Sequence, residues 1–318
     1  MITVFSRNYY GGAGAGCNYS SYSALFNGSN QYAAHIAGVT NSHWPNIGTY
    51  GNPNKVIVSM WVKNNDTTSQ NGLKFLMGQN TGTLGNGNAN DQYFRLGYEM
   101  NNGSGSANNR LYVTYRGDTT SNQIEKQYEL HGNSAITGST SRFDQWLDGN
   151  TTGSGGTIIT NANDFVHLCV VMDLPADGVP YGIAGNIDTY WNGQLLTAIV
   201  NTASGSGTSS SNGGLNGILA TDPANLVGYW NGHIDELLTT EDALNGMTTT
   251  FMNSHSLASS QDIATFLWNS GCPGDTSHPQ SAQWDSFTYR FENNWNSENI
   301  SPYPFSTVNS VGFSTTHA

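Results

Sequence analysis

The chain has 318 residues, 36% of them hydrophobic, and carries 10 Lys+Arg against 22 Asp+Glu for a formal net charge of −12. That acidic balance leaves no basic patch to neutralise phosphates, which excludes nucleic-acid partners, and an anionic membrane surface would repel it. Charged residues are only 10% while glycine numbers 38, so the polarity is that of neutral side chains; the 11% aromatic content excludes a wholly disordered chain.

The opening, MITVFSRNYYGGAGAG, has no basic segment followed by an apolar one, and no apolar run is long enough to span a bilayer. Synthesis in the cytoplasm without membrane insertion is the expectation. Cys17, Cys169 and Cys272 are an odd number without CxxC spacing, which argues against a zinc site or a disulfide framework. Cys169, in VHLCVVM, is expected in the core, and a Cys17–Cys272 bridge stays open.

The periodicity along the chain is two. In NKVIVSMWVKN (54–64), Val56, Val58, Met60 and Val62 share one face and Ile57, Ser59, Trp61 and Lys63 the other, the pattern of a half-buried strand. DQYFRLGYEM, NRLYVTYRG, DFVHLCVVMDL, NIDTYWNGQLL and VGYWNGHIDELL predict further strands. Asn192-Gly193 and Asn231-Gly232 each predict a tight hairpin turn, because both central residues of a type I′ turn need positive φ. Polar, glycine-rich stretches at 102–109, 149–156 and 201–214 predict loops between strands. Helical signal is confined to TTEDALNGMTTTFM and SSQDIATFLWNSG; in the second, Ser260 is the expected cap and Ile263, Phe266 and Leu267 the apolar face. Many short strands joined by turn residues predict an all-β antiparallel sandwich carrying one or two short helices.

Three phrases in order carry a family resemblance: SYSALFNGSNQYAA with VIVSMWVKN, DFVHLCVVMD with IDTYWNGQLL, and YWNGHIDELLTTEDAL with LASSQDIATFLWNSGCPGD. Together they resemble laminin G-like, concanavalin A-like jelly-roll domains. The resemblance implies an N-terminal arm at 1–20, a jelly-roll domain at 21–275, and a C-terminal extension at 276–318 that packs on the domain or on a partner. The ending, NSGCPGDTSHPQ with FTYRFENNW, is similar to closing phrases of bacteriophage-encoded jelly-roll proteins.

The fold also hosts retaining glucanases, whose two carboxylates lie about 5 Å apart on one strand face, usually as ExDxE. No such run occurs. Glu125 and Glu129, four residues apart, would stand about 13 Å apart in a strand, and Asp144 and Asp148 are no better spaced. Asp235 and Glu236 are adjacent, so they point to opposite faces unless a bulge reorients them. Simple alternation groups Ile234, Glu236 and Leu238 on one face and Asp235 with Leu237 on the other. GxSxG and HExxH are absent. No enzyme activity is expected; His167 is expected to be structural and His233 exposed.

The resemblance implies a Ca²⁺ at the sandwich edge, with Asp235 in the family's closing phrase and Asn27 in its opening loop as candidate ligands. Asn27 and Gln31 stand where relatives often carry acidic residues, which lowers the ligand charge. Trp44, Trp146 and Trp230, with neighbouring Asn, suit stacking on sugar faces and form the candidate carbohydrate site. The expected function is a non-enzymatic bacteriophage virion protein, such as a capsid decoration, head fibre or tail component. It would be assembled in the host cytoplasm as a homo-oligomer, contacting other virion proteins and host-surface glycans. The alternative is a secreted, extracellular carbohydrate-binding lectin-like module.

Overall fold

In the computed structural model, which describes residues 23–35, 54–65, 72–80, 93–100, 110–116, 123–129, 165–174, 186–198, 200–204, 216–222, 225–242, 246–268, 287–289, 306–309 and 311–314, the period-two runs are strands. They are β1 (Ser23–Asn27), β2 (Tyr32–His35), β3 (Asn54–Asn64), β4 (Gly72–Asn80), β5 (Tyr93–Met100), β6 (Arg110–Arg116), β7 (Gln123–Glu129) and β8 (Val166–Leu174). There follow β9 (Asn186–Trp191), β10 (Gln194–Leu195), β11 (Val200–Ser204), β12 (Asn216–Leu219), β13 (Asn231–Glu241), β14 (Phe287–Tyr289), β15 (Ser306–Val308) and β16 (Gly312–Ser314). The two helices are α1 (Met247–Ser254) and α2 (Ser260–Trp268).

The strands form two antiparallel sheets. The first runs β10-β9-β8-β3-β13-β1-β16, with β14 also pairing β13, and the second runs β11-β7-β6-β5-β4-β12-β2-β15. The fold class read from the sequence, an all-β antiparallel sandwich with one or two short helices, is therefore the one observed. Alternation sets the layers as expected for pleated strands. Val56, Val58, Met60 and Val62 of β3 join Leu168, Val170 and Met172 of β8 and Phe94, Leu96, Val113 and Ile124 of the second sheet in the main core. The other face of the first sheet is covered by the helices, where Ile57, Cys169 and Val171 pack against Phe251, Ile263, Ala264 and Leu267. The cap of α2 falls one residue earlier than predicted, because the Ser259 hydroxyl accepts the Asp262 N–H (3.1 Å) and its carbonyl accepts the Ile263 N–H.

Both sheets end on the same C-terminal segment. β15 adds to β2 and β16 to β1, and Val311 between them is buried in the main core. Residues 1–20 lie outside the described residues.

The two Asn-Gly signals have different outcomes. Asn192 (φ 49°) and Gly193 (φ 75°) turn β9 into β10 as a two-residue hairpin, as predicted. Asn231-Gly232 is not a hairpin but the start of β13, paired with β1 and β3. Glycine is required there by close approach: at φ 150°, a Cβ on Gly232 would sit 2.0 Å from the Lys63 carbonyl oxygen.

Candidate functional site

Each candidate from the sequence has a definite position or lies outside the described residues. Trp44 and Trp146 fall in the latter group. Trp230 is fully buried, its indole edge-on to Tyr98 with ring centroids 5.2 Å apart at 79°. The structure corrects the assignment of Trp230 to a sugar-stacking role: strand alternation turns this ring into the core, so it has no face to offer a ligand.

The calcium candidates are not brought together. Asn27 pairs with Asn231 across β1 and β13, and Asp235 lies four residues further along β13. That separation is about 13 Å along an extended strand. Asn27 is occupied in building the β1–β2 turn, its Oδ1 accepting the Ser29 and Asn30 N–H groups at 3.0 and 3.3 Å. Asp235 is fully buried and accepts the Glu236 N–H at 2.8 Å. Among the described residues no group of three or more His, Cys, Asp or Glu side chains is placed to hold a metal ion.

A bulge reorients the Asp235-Glu236 stretch. Asp235 opposes Trp61 but Leu238 opposes Ser59, so Glu236 and Leu237 together face one residue of β3. Glu236 takes a left-handed φ of 46°, a conformation that costs a non-glycine residue about 1 kcal/mol or more. The grouping by simple alternation fails for this reason: Ile234 and Leu237 both enter the main core, and Leu238 enters the cluster beneath the helices.

Both histidines singled out in the sequence are buried. His167 bonds Ser59 Oγ through Nε2 at 2.8 Å and stands 5.2 Å from the Trp61 ring. Burial pushes its pKa down to about 3. His233, expected to be exposed, is 5% exposed and bonds Ser23 Oγ through Nδ1 at 2.9 Å. Burial first, and the Lys63 charge second, push its pKa down to about 4. A serine bonded to a histidine resembles half of a nucleophilic pair. Here both are sealed from solvent and the imidazole is held neutral, far below the range of a general base at neutral pH.

The helices cover the first sheet, and among the described residues no element packs across the whole outer face of the second. Along β6, half-buried Tyr112 and Thr114 alternate with core Leu111, Val113 and Tyr115; along β7, half-buried Glu125 and Gln127 flank Lys126. Gln127 donates to Glu125 (2.6 Å) and accepts from Arg110 (3.0 Å), so this network holds its own charges.

One end of that face is built over by residues 220–222 and 225–230. A second bulge, between Phe75 and Met77 of β4, sets Phe75 opposite Gly97, which lies between the core-facing Leu96 and Tyr98. Phe75 thus lies over the outer side of Gly97, where a Cβ would come 3.2 Å from its ring. Arg95 stacks above the Phe75 ring (5.7 Å) and pairs with Asp222 at 3.1 Å. Asp222 also accepts from Asn225 (3.0 Å), and the Phe75 N–H is received by the Gly228 carbonyl (2.9 Å). Ala220 (φ 68°), Leu226 (φ 50°) and Gly228 (φ 64°) all adopt left-handed backbone. At the non-glycine positions this conformation costs energy, and the ion pair and cation–π contact lie beside it.

This segment presents Val227, 50% exposed, and half-buried Tyr229. Because Trp230 and Ala33 enter the core, their neighbours Tyr229 and Tyr32 point the other way, and their rings stack at 6.5 Å and 29°. Both rings are half-buried. Sequence reasoning missed this pair. The signal was the dipeptide Tyr229-Trp230 itself, in which alternation makes one ring core and the other surface. Replacing Gly228 with alanine would place a Cβ 2.3 Å from the Leu73 carbonyl and 2.8 Å from the Phe75 ring at a left-handed φ. We expect Gly228→Ala to cost about 2 kcal/mol or more in urea unfolding and to displace Tyr229 from Tyr32.

No family model matches the chain, and no curated protein matches it in sequence. Similar solved structures include domains LG4-5 of the mouse laminin alpha1 chain, at 11% identity and a TM-score of 0.35, covering 70% of this chain and 42% of that one. The K499G mutant of NanB sialidase from Streptococcus pneumoniae is 12% identical with a TM-score of 0.39, covering 77% of this chain and 27% of that one. The Ruminococcus gnavus IT-sialidase CBM40 bound to alpha2,6 sialyllactose is 13% identical with a TM-score of 0.29, covering 57% and 72%. The chain thus spans less than half of the laminin and NanB chains. At these identities the likeness adds nothing to the two-sheet architecture described above.

Proposed function

We propose that this protein is a non-catalytic, lectin-like module that binds carbohydrate on the outer face of its second sheet. The observation that carries the reading is the half-buried Tyr32–Tyr229 pair, one ring from β2 and the other from the segment before β13, at the end of that face. An aromatic platform accepts the C–H face of a sugar ring, and the amide of Asn225, on the same segment as Tyr229, suits sugar hydroxyls. Among the described side chains of this surface, Arg95 is paired with Asp222, and Arg110 and Glu125 meet at Gln127. A neutral glycan therefore fits the face better than a polyanion. A secreted or surface-displayed setting suits such a module. The virion role rests on the resemblance of the sequence's ending and gains no support from this face.

The test is a glycan array probed with the full chain, followed by calorimetry on the best binder. Binding to a neutral glycan is expected, with Tyr32→Ala weakening it about tenfold, the worth of one aromatic stacking contact. An array without a binder, or a binder indifferent to Tyr32→Ala, removes the reading.

A further inference from the structure

The two sheets approach each other where β7 and β9, each one strand in from its sheet's edge, come into contact. Lys126 lies on β7 between Ile124 and Tyr128, both core residues, and is itself only 9% exposed. Its Nζ donates to Asn186 Oδ1 at 2.8 Å. Asn186 Nδ2 in turn donates to Asp188 Oδ1 at 2.7 Å. β10 pairs only Tyr190 and Trp191, so among the described residues no strand of this sheet continues beyond Asn186 and Asp188. A long side chain from the second sheet thus ends on an amide of the first, with a carboxylate directly behind that amide.

A buried ammonium is ordinarily matched by a carboxylate, since a neutral acceptor does not compensate its charge. Here the direct acceptor is an amide, and the carboxylate contacts the amide's nitrogen instead. From the geometry, we propose that Lys126 and Asn186 join in an intramolecular isopeptide bond that ties the two sheets covalently, with Asp188 transferring the proton. The proposal is independent of the glycan reading.

The step balances without an oxidant or co-reactant. The lone pair of the neutral Lys126 Nζ attacks Asn186 Cγ, forming the N–C bond and moving the carbonyl π pair onto Oδ1. Asp188 accepts the proton from Nζ and delivers it to Nδ2. The C–Nδ2 bond then breaks, the carbonyl reforms, and Nδ2 leaves as ammonia. An amine and a primary amide have become a secondary amide and ammonia. The 2.8 Å hydrogen bond to Oδ1 and the C=O bond of about 1.2 Å together hold Nζ within about 4 Å of Cγ, the atom it attacks. Burial lowers the pKa of Lys126, against the opposing charge of Asp188, which favours the neutral nucleophile.

Intact-mass measurement of the purified full-length protein tests this directly. We expect the wild type to be lighter than its sequence by one ammonia, and the Lys126→Arg variant to match its own sequence. Proteolysis under denaturing conditions should yield a branched peptide joining the segments around Lys126 and Asn186, with no tryptic cleavage after Lys126. This readout on the wild type decides even where Lys126→Arg fails to fold. Asp188→Ala retains both reacting groups and should abolish or greatly slow the joining. A wild type at its full sequence mass, cleaved after Lys126 like any other lysine, overturns the bond; an Asp188→Ala variant that joins as completely as the wild type overturns the role of Asp188.

Discussion

Acidification from about pH 7 to pH 4 is expected to destabilise this protein strongly, because two buried histidines are held neutral in the native state. His167 and His233 have native pKa values of about 3 and about 4, both below the ordinary value of 6.5. The native state therefore resists protonation that the unfolded chain accepts. Above pH 6.5 both groups are neutral in both states, and their contribution to stability is fully present. As pH falls below that value, the unfolded state takes up protons first, so stability declines until the native pKa values are reached. A tenfold difference in proton affinity between the two states is worth about 1.4 kcal/mol, so by pH 4 the two groups together withdraw several kcal/mol. Domains of ordinary stability hold only about 5–15 kcal/mol in all. Urea midpoints measured between pH 7 and pH 4 should fall steeply through this window. His233→Gln, which retains a hydrogen-bonding group beside Ser23 but does not titrate, should flatten part of the decline. A midpoint unchanged down to about pH 4.5 would contradict the burial of these rings.

Much of the architecture was legible because it depends on local periodicity. The alternation in β3 assigned every residue from Val56 to Lys63 to a face, and the assignment holds: Val56, Val58, Met60 and Val62 enter the main core, while Ile57 and Trp61 enter two separate clusters. What was not legible depends on contacts between distant segments. Asn231-Gly232 has the composition of a turn, but its glycine answers the Lys63 backbone, 169 positions away in sequence, where no side chain fits. His233 looked like a turn residue for the same reason, and became buried once the turn proved to be a strand. The Glu236 bulge has no sequence signature, since a left-handed glutamate is disfavoured locally and persists only where the surrounding sheet fixes it. The candidate site suffered most. Its parts, Tyr32, Phe75, Arg95, Asp222 and Tyr229, come from three strands and a loop, and only the sheet order brings them together.

The neighbours Tyr229 and Trp230 separate fold from function at adjacent positions, and their alanine variants should behave in opposite ways. Trp230 is among the largest fully buried side chains, packed edge-on to Tyr98. Removing it leaves a cavity the size of an indole between the sheets, and large aromatic deletions of this kind cost about 3–5 kcal/mol. Trp230→Ala is thus expected to lose its urea midpoint and, with it, any binding. Tyr229 stacks on Tyr32 and keeps part of its ring in solvent. Its removal forfeits one surface aromatic contact, about 0.5–1.5 kcal/mol, leaving the sheets intact. Tyr229→Ala should therefore unfold near the wild-type midpoint while binding glycan about tenfold more weakly or not at all. Tyr229→Phe retains the ring and should bind nearly as well as the wild type, because stacking uses the face rather than the hydroxyl. If instead Tyr229→Ala destabilises the fold as severely as Trp230→Ala, the tyrosine is a packing residue and the platform has no separate role. If it binds as the wild type does, the ligand lies elsewhere on the sandwich.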